Sequence, residues 1–458
     1  MATEHYDLIV IGAGPAGSVL AALVAEAGNR VLLIDREQLP RYQIGESLLP
    51  ATLNGIAELL GVREQMDNAG FVLKRGATFH WGSSPDLWTL NFGGAPHDTL
   101  PGPDWPTALN VRRDRFDAIL LDRARQAGVT VREQQRAMSF IVDNGRVCGV
   151  HIRDADDHDW SASASWTVGA TGQASPLAAL IGRRQTSAFF RNASVFGYFE
   201  HGKRLPSPLE GNVLLESFDD GWIWYIPLSD ELTSVGAVLY HPAVSRLRND
   251  HESVLLDVLS RCTYASEYLK DARLVPEGQY AGMRVRREFS YANTRFWMPG
   301  ALVVGDSACF IDVILSSGVH LATFGALQAA RAINTALRGD LPEESCLDEF
   351  ELRYRLEFTK FYQGLMGLHD MGRDSNTYRL WLRSMLQRTQ GIFLDDEPEL
   401  PAGRRSPSAV AAQYLREHNV TMLDDAGPPT MEDIVPVPEI FGELVPDSGQ
   451  LHWRRANE

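Results

Sequence analysis

The sequence predicts an α/β fold with three regions of different character. At the amino end, an apolar run, a glycine-rich turn, a helical segment and a second apolar run predict a strand–helix–strand unit. From about residue 74 the pattern changes to short alternating or apolar runs between turn residues, which predicts a mainly antiparallel sheet. The segment 341–394 has helical periodicity. We therefore expect an α/β unit packed against a second sheet and followed by a helical region.

The amino-terminal unit carries the pattern of a dinucleotide-binding motif. Its first apolar run leads into Gly12, and Gly14 and Gly17 complete the spacing G-x-G-x-x-G at the start of a helical segment. The first glycine permits a tight turn, the second lets a pyrophosphate approach the backbone, and the third lets helix and strand pack closely. The unpaired N–H groups of the helix amino terminus then face the phosphates. The next apolar run ends at Asp35, whose carboxylate is placed to accept hydrogen bonds from an adenosine ribose.

Two dinucleotides, FAD and NAD(P), fit such a motif. A flavoenzyme that also held NADPH in a separate Rossmann domain would normally show a second G-x-G-x-x-G, and the sequence has none. Two interpretations stay open: the flavin is reduced by another protein, or NADPH binds without such a motif.

The remaining elements follow in order along the chain. A helix is predicted over 112–128, 300–310 is predicted as a buried strand with a glycine turn, and a further helix ends at Gly339. The predicted division is 1–73, 108–183 and 291–340 for the nucleotide-binding domain, 74–107 and 184–290 for the second sheet, 341–394 for the helical region, and 395–458 for a Pro-containing linker and an irregular carboxy-terminal arm.

Composition excludes several classes of partner. The net charge of −16 argues against nucleic acid and anionic membranes, because both need a basic surface. The four cysteines are scattered without a C-x-x-C pair, so neither a disulfide framework nor a zinc site is expected, and no other metal site is predicted. The sequence has no run of 18 apolar residues and no signal-peptide pattern at its start. We expect a cytoplasmic protein.

Two tryptophans stand two positions apart in GWIWYIPL, residues 221–228. In a strand, Trp222 and Trp224 lie on one face and Ile223 and Tyr225 on the other, because side chains alternate. Pro227 ends the strand or marks an edge. Without further context the stretch is a core strand covered on both faces.

Four motifs together resemble the flavin-dependent halogenases. They are PRYQIGESLLPATL (40–53), KRGATFHWG (74–82), WIWYIP (222–227) and GDSACFIDVILSSGVHLAT (305–323). The sequence is most similar to members that halogenate phenolic or carrier-tethered aromatic groups, such as the chlorinases of glycopeptide-antibiotic pathways and the chondrochloren halogenase. The resemblance runs from about residue 5 to about residue 375. It implies a p-hydroxybenzoate hydroxylase-like fold, with an FAD-binding Rossmann domain, an antiparallel-sheet substrate domain and a carboxy-terminal helical region.

The resemblance also implies a reaction. FADH2 supplied by a separate flavin reductase reacts with O2 to give a C4a-hydroperoxide, a halide ion attacks its distal oxygen, and hypohalous acid forms. A lysine then presents the acid to an electron-rich aromatic ring, free or tethered to a carrier protein, in secondary metabolism such as antibiotic biosynthesis. The paired indoles would separate the substrate from the flavin, so that the ring is not hydroxylated.

By the same resemblance, individual residues take roles. Lys74 and Ser316 are the catalytic residues, the backbone N–H groups of Ser317 and Gly318 bind the halide, and Trp222, Trp224 and Pro227 form the partition. The predicted FAD-binding residues are Gly12, Gly14, Ala16, Gly17, Asp35, Arg36, Arg41, Arg113, Asp306 and Gly318. Glu46 is typical of the family, but its role does not follow from the sequence.

The residues themselves allow simpler interpretations. Strand alternation places Lys74 on one face with Val72, Gly76 and Thr78, which suggests partial burial and a lowered pKa, but a surface lysine is the simpler alternative. Ser316 fits the amino cap of a helix as well as a catalytic position.

The sequence departs from the pattern of its relatives at three positions. Their F-x-x-P-x-F-S-x-G signature has Val313 here in place of proline and Leu315 in place of phenylalanine. The usual D-A-S-G has Gly169 in place of aspartate. Leu315 also replaces the glutamate that tryptophan-specific members use as a base, which favours a self-activated ring such as a phenol or pyrrole.

Three hypotheses follow. The first is a halogenase, the second a flavin monooxygenase or reductase on the same fold, and the third a flavin-binding pathway protein without turnover. Lys74 with the tryptophan pair argues against the second. Val313 and Leu315 weaken the first, and the missing aspartate at Gly169 favours the third.

Overall fold

The structure is a computed structural model that describes residues 4–81, 86–92, 106–240, 243–248, 250–369 and 444–455. The strands are β1 Glu4–Ile11, β2 Val31–Ile34, β3 Val72–Lys74, β4 Gly76–His80, β5 Trp88–Asn91, β6 Ala108–Asn110, β7 Thr130–Arg132, β8 Arg136–Asp143, β9 Arg146–Arg153, β10 Asp159–Gly169, β11 Arg184–Glu200, β12 Val213–Phe218, β13 Gly221–Pro227, β14 Leu232–Leu239, β15 Arg273–Leu274, β16 Arg284–Asn293, β17 Trp297–Met298, β18 Ala301–Val303, β19 Cys309–Phe310, β20 Leu444–Pro446 and β21 Trp453–Arg455.

The helices are α1 Pro15–Glu26, α2 Arg63–Asp67, α3 Arg113–Gln126, α4 Pro176–Ile181, α5 His251–Arg261, α6 Thr263–Tyr268, α7 Ser317–Arg338 and α8 Glu343–His369. A π-helical turn covers Thr52–Ala57, and 3₁₀ turns cover Ala243–Arg248, Gly305–Ser307 and Val313–Leu315.

The first sheet is the nucleotide-binding layer. Strands β18, β10, β1, β2 and β7 are parallel neighbours in that order, as a strand–helix–strand unit requires. The antiparallel hairpin of β8 and β9 continues from the start of β10, and the sequence pattern does not predict this extension. The carboxyl ends of β1, β10 and β18 lie side by side, so the loops that follow them meet at one edge. In open α/β sheets, ligands bind at this edge.

The second sheet has the path β19-β16-β11-β14-β13-β12-β4-β5 within the described residues, with β15 beside β11. Its pairs are antiparallel except β12 with β4, which confirms the predicted mainly antiparallel layer. Strand β13 is interior, because it pairs with both β12 and β14. Pro227 therefore ends the strand and does not mark an edge.

The alternation of β13 divides its side chains between two cores. Trp222 and Trp224 belong to the large apolar core shared with the nucleotide-binding layer. Ile223 and Tyr225 belong to a separate core, which α5 and α6 cover from the other side. The prediction that the two indoles share one face is confirmed.

The predicted helices at 112–128 and before Gly339 are present as α3 and α7, and Gly339 has the left-handed φ of 75° that a helix carboxyl cap favours. Helix α8 accounts for the predicted helical region as far as His369. The rest of that region, the linker at 395–408 and most of the carboxy-terminal arm lie outside the described residues.

The final described segment is regular, which differs from the irregular arm that the sequence predicts. Strands β20 and β21 form an antiparallel hairpin, and Trp453 is buried against α7 and α8. The guanidinium groups of Arg331 and Arg353 lie 5.1 and 4.7 Å from the Trp453 ring centroid, and Thr335 Oγ1 accepts the Trp453 N–H at 2.7 Å. These contacts fix the hairpin to the two helices, a long-range pairing that local sequence cannot indicate.

Candidate active site

The glycine-rich turn after β1 leaves no room for side chains. A Cβ at Gly17 would lie 1.8 Å from the Gly12 carbonyl oxygen, and one at Gly12, where φ is +110°, would lie 2.3 Å from the Ala170 oxygen. Helix α1 begins next to Gly14, and no side chain caps its amino terminus. The motif therefore has the close-packed cradle and free helix end that a pyrophosphate needs.

Asp35 is buried at the end of β2 and braces this cradle. Its carboxylate accepts the Ala13 N–H at 2.7 Å and the Glu37 N–H at 2.9 Å. The carboxylate keeps further lone pairs for a ribose hydroxyl. The neighbouring Arg36 is exposed and pairs with Glu37 at 3.3 Å.

Two arginines lie beside the cradle in different states. The Arg113 guanidinium is buried and occupied, since Asp117 accepts from its Nε and Nη2 and Ile44 O from its Nη1. Arg41 reaches the glycine turn, with Nη2 3.7 Å from a Cβ built at Gly14. Arg41 Nη1 is buried without a hydrogen-bond acceptor, and the Asp117 carboxylate lies 3.7 Å away. Arg41 is thus the arginine with a donor left for a phosphate.

Asp306 enters the site from the turn after β18. An added Cβ at Gly305 would lie 3.2 Å from the Ala16 Cβ, so this turn touches the start of α1. Burial raises the pKa of Asp306 to about 6, against the positive charges of Arg113 and Arg184, which lower it. The cradle, Asp306 and the Arg41 donor that lacks a hydrogen-bond acceptor fit an FAD-sized dinucleotide.

Lys74, the last residue of β3, is a buried amine. It is 2% exposed, and its Nζ donates to Leu48 O at 3.1 Å and to Ser316 Oγ at 3.4 Å. The Nζ also lies 5.3 Å from the Phe92 ring centroid. Burial lowers the pKa of Lys74 to about 7. The surface-lysine alternative is therefore wrong, and the side chain can be a neutral amine or a cation near neutral pH.

The strand around Lys74 differs from the prediction. The predicted strand is interrupted at Arg75. Strand β3 pairs with β6 in a small sheet of its own, whereas β4 joins the second sheet. Lys74 therefore does not share a sheet face with Gly76 and Thr78, although all three are buried. The cause is pairing with β6, which aims Lys74 at the 316 loop instead.

Residues 312–318 form the turn that faces Lys74. Ser316 has a left-handed φ of 56° and occupies the amino cap of α7, but its side chain makes no capping bond and contacts Lys74 instead. Ser317 Oγ is buried without a hydrogen-bond partner. A Cβ added at Gly318 would meet no atom within 4 Å, so there is open space at this helix end.

The departures from the family pattern are accommodated by packing. Ile314 and Leu315 are buried in the large core, and Val313 packs against it. A side chain at Gly169 would lie within 3.2 Å of Ser175, Val303 and Leu177, so the space of the missing aspartate is filled.

The tryptophan pair is held by its surroundings. The two ring centroids are 6.1 Å apart, and Trp81 lies 6.3 Å from Trp222. Trp224 Nε1 donates to Ser234 Oγ at 3.2 Å, and its ring covers Gly236, where a Cβ would lie 2.3 Å from the indole. The indoles therefore form a rigid aromatic wall on the face of the sheet turned toward the nucleotide-binding layer.

The sequence gives no role to two buried carboxylates near the site, Glu46 and Asp312. Glu46 accepts the Tyr198 hydroxyl at 2.5 Å, which ties the 40–53 segment to β11, and burial raises its pKa. Asp312 is fully buried beneath the 312–318 turn. The side-chain partners of these carboxylates, Tyr198 for Glu46 and Asn192 for Asp312, are distant in sequence, so local sequence does not identify their roles.

Other features carry no chemistry that the site uses. Among the described residues, Asp154, Asp156 and His158 bring three potential metal ligands together in a hairpin turn. Asp154 Oδ1 already accepts the N–H groups of Asp156 and His158, which closes that turn. The four cysteines are free thiols, and no described helix is long and apolar enough to cross a membrane.

A Rossmann cradle that fits a flavin dinucleotide shares one core with an antiparallel sheet, and a separate two-stranded sheet carries a buried lysine. Together these features define the class of two-layer flavoprotein oxidoreductases. Within that class the chain belongs to the flavin-dependent halogenases: the tryptophan halogenase family model matches residues 7–105 and 101–390. The family uses FAD, and its members are oxidoreductases.

Known relatives agree over most of the chain. The structure of the myxobacterial chondrochloren halogenase CndH is 42% identical, with a TM-score of 0.82, and covers 98% of this chain and 100% of its own. A tryptophan 2-halogenase of Chondromyces crocatus is 30% identical over 84% of this chain and 72% of its own. The flavin-dependent halogenase armH4 of Armillaria mellea is 30% identical over 82% and 74%. The predicted family and fold are confirmed.

Proposed function

We propose that this enzyme uses FADH2, O2 and a halide to halogenate an electron-rich aromatic ring, with Lys74 presenting the oxidised halogen. The observation that carries the proposal is the Lys74 amine, which is buried, bonded to neutral oxygen atoms and 3.4 Å from Ser316 on the α7 loop. A buried amine with this pKa can donate a directed hydrogen bond or form a haloamine.

Other residues of the site bind the cofactor, bind the halide and separate the substrate from the flavin. The reduced flavin with O2 supplies the oxidising equivalent when bound, in the cradle of Gly12, Gly14 and Gly17. The N–H groups of Ser317 and Gly318 hold the halide at the free end of α7, where the helix dipole favours an anion. Hypohalous acid then hydrogen-bonds to Lys74. The ring carbon bonds to the halogen as the oxygen–halogen bond breaks, and the hydroxyl group and the ring proton leave as water. The wall of Trp222 and Trp224 keeps the ring away from the flavin.

A direct test combines purified protein, FAD, an unrelated flavin reductase with NADH, and each halide in turn. The aromatic panel holds a phenol, a pyrrole and tryptophan, the last because one relative is named a tryptophan 2-halogenase. Mass spectrometry should show a halogenated phenol or pyrrole. A hydroxylated product would indicate the monooxygenase alternative, and FAD binding without any turnover would favour the non-catalytic one.

We expect no productive NAD(P)H site, because the sequence has one G-x-G-x-x-G motif. The close-packed turn of that motif is the proposed FAD cradle. In anaerobic stopped-flow measurements, NADPH alone should leave the bound flavin oxidised, whereas added reductase should bleach it within seconds. Rapid bleaching by NADPH without reductase would contradict the separate-reductase proposal.

Halide preference should follow the two departures in the α7 loop. Proline fixes φ and lacks an N–H, so Val313 leaves the turn freer, and Leu315 replaces a flat ring by a branched chain. We expect bromide or iodide to be accepted at least as well as chloride, because a slack pocket penalises larger anions less. Competition with equimolar halides should show this, and Val313→Pro with Leu315→Phe should shift the ratio toward chloride. Strict chloride preference in the parent enzyme would refute the expectation.

A further inference from the structure

Asp312 ties the α7 loop to the second sheet. The side chain is fully buried, and its Oδ2 accepts from Asn192 Nδ2 on β11 at 2.7 Å. Its Oδ1 accepts the Ile314 N–H at 3.1 Å, and its own N–H donates to Ser290 Oγ on β16 at 3.1 Å. One residue thus joins two strands of the sheet to the first turn of the loop.

The loop needs such an anchor. Residues Val313–Leu315 form a single 3₁₀ turn, and the next residue, Ser316, has a left-handed φ of 56°, which is unfavourable for a residue with a side chain. A proline at the first position of the turn would preset its φ, but Val313 does not. The Asp312 carboxylate caps the turn through the Ile314 N–H and so restrains it from the preceding residue.

The consequence extends to the proposed halide site. Ser316 N–H donates to Val313 O at 3.0 Å, so the turn sets where the α7 amino terminus begins. If the turn changes conformation, Ser316 Oγ moves relative to Lys74, and the N–H groups of Ser317 and Gly318 no longer point toward the same halide position. Burial raises the pKa of Asp312, whereas the hydrogen bonds from Asn192 and the Ile314 N–H lower it and so favour the carboxylate.

We propose that Asp312 is a positioning residue for the halide, acting through the turn to hold the α7 amino terminus at one distance from Lys74. This inference rests on the proposed halogenation. The residue does not touch the halide. It couples the anion site to β11 and β16, so that the site and the sheet that carries the aromatic wall keep one geometry.

The test measures the Kd for chloride of FAD-loaded protein in the absence of turnover. Broadening of the chloride NMR resonance reports the binding. Asp312→Asn keeps the volume but cannot accept from both Asn192 and Ile314 as a carboxylate does. We expect its chloride Kd to rise about tenfold, the equivalent of one charge-assisted hydrogen bond. FAD affinity, measured by flavin fluorescence, should change less than about twofold, since the FAD cradle is elsewhere. In turnover, KM for halide should rise more than kcat falls.

Glu216→Gln is the matched control. Glu216 is an equally buried carboxylate that accepts the N–H groups of Thr263, Tyr264 and Ala265 at the start of α6, on the opposite face of the same sheet. The Glu216→Gln variant should have a lower melting temperature than the parent and the same Kd for chloride. Asn192→Ser, which shortens the sheet-side partner, should act in the same direction as Asp312→Asn and serves if that variant does not fold.

The outcomes separate the two proposals. An unchanged chloride Kd in both loop-anchor variants overturns the inference, as does an equal loss in Glu216→Gln. A parent protein that binds no chloride overturns the halide role of the loop and the inference with it. A parent that binds chloride but halogenates nothing in the aromatic panel contradicts the proposed function alone, because the binding comparison still measures the anchor.

Discussion

Lys74→Met should abolish halogenation and leave flavin binding intact. Methionine matches the length of the lysine stem but cannot donate a hydrogen bond or form a haloamine. The loss should be about 100-fold or more, the usual contribution of one positioned proton-transferring group. Lys74 contacts Leu48 and Ser316 and not the glycine cradle, so FAD affinity should be preserved.

Product formation by mass spectrometry and FAD titration by fluorescence quenching measure the two quantities separately. Lys203→Met is the matched control, because Lys203 is an exposed lysine paired with Glu267 and far from the α7 loop in the sequence. Its activity should equal that of the parent. A Lys74→Met variant that halogenates near the parental rate would show that another group presents the halogen.

The same substitution should stabilise the protein, most strongly at neutral and lower pH. Burial lowers the Lys74 pKa from 10.5 to about 7, so the unfolded chain binds more protons than the folded one between these values. The free energy of unfolding of the parent therefore rises with pH across this window, and its deficit is greatest below pH 7. One pKa unit corresponds to about 1.4 kcal/mol, so the variant should gain several kcal/mol at pH 7.

Denaturant unfolding of Lys74→Met and parent at pH 7 and pH 9.5 measures this difference. The difference in free energy of unfolding between Lys74→Met and the parent should be smaller at pH 9.5 than at pH 7, because deprotonating the lysine amine costs less free energy at the higher pH. The Lys203→Met variant should show no such gap at either pH, because Lys203 is exposed. A gap that does not depend on pH would mean that packing, and not the buried amine, distinguishes the variants.

The cradle and the tryptophan wall were predictable from the sequence. In each case the deciding geometry is local: three glycines within six residues set one turn, and the period of a strand places Trp222 and Trp224 on one face. The structure adds that a Cβ at Gly17 has no space and that β13 is an interior strand.

The break at Arg75, the β8–β9 hairpin, the helices α5 and α6 and the docked carboxy-terminal hairpin were not predictable in the same way. Each depends on which segment pairs with or packs on another one, and alternation along the chain is the same for either partner. Glu46 shows the limit most directly, since its acceptor role depends on Tyr198, 152 residues away in the sequence.

By itself, the sequence determined a dinucleotide cradle, a two-layer fold and, through its motifs, membership of the halogenases. Only the tertiary structure decided how the chemistry-bearing groups meet. Lys74 and Ser316 are 242 residues apart, and Asn192 and Asp312 are 120 apart. The physical reason is that burial and hydrogen bonding belong to surroundings assembled from distant segments. The fold, and not the identity of the residue, makes Lys74 a buried amine with a pKa near 7.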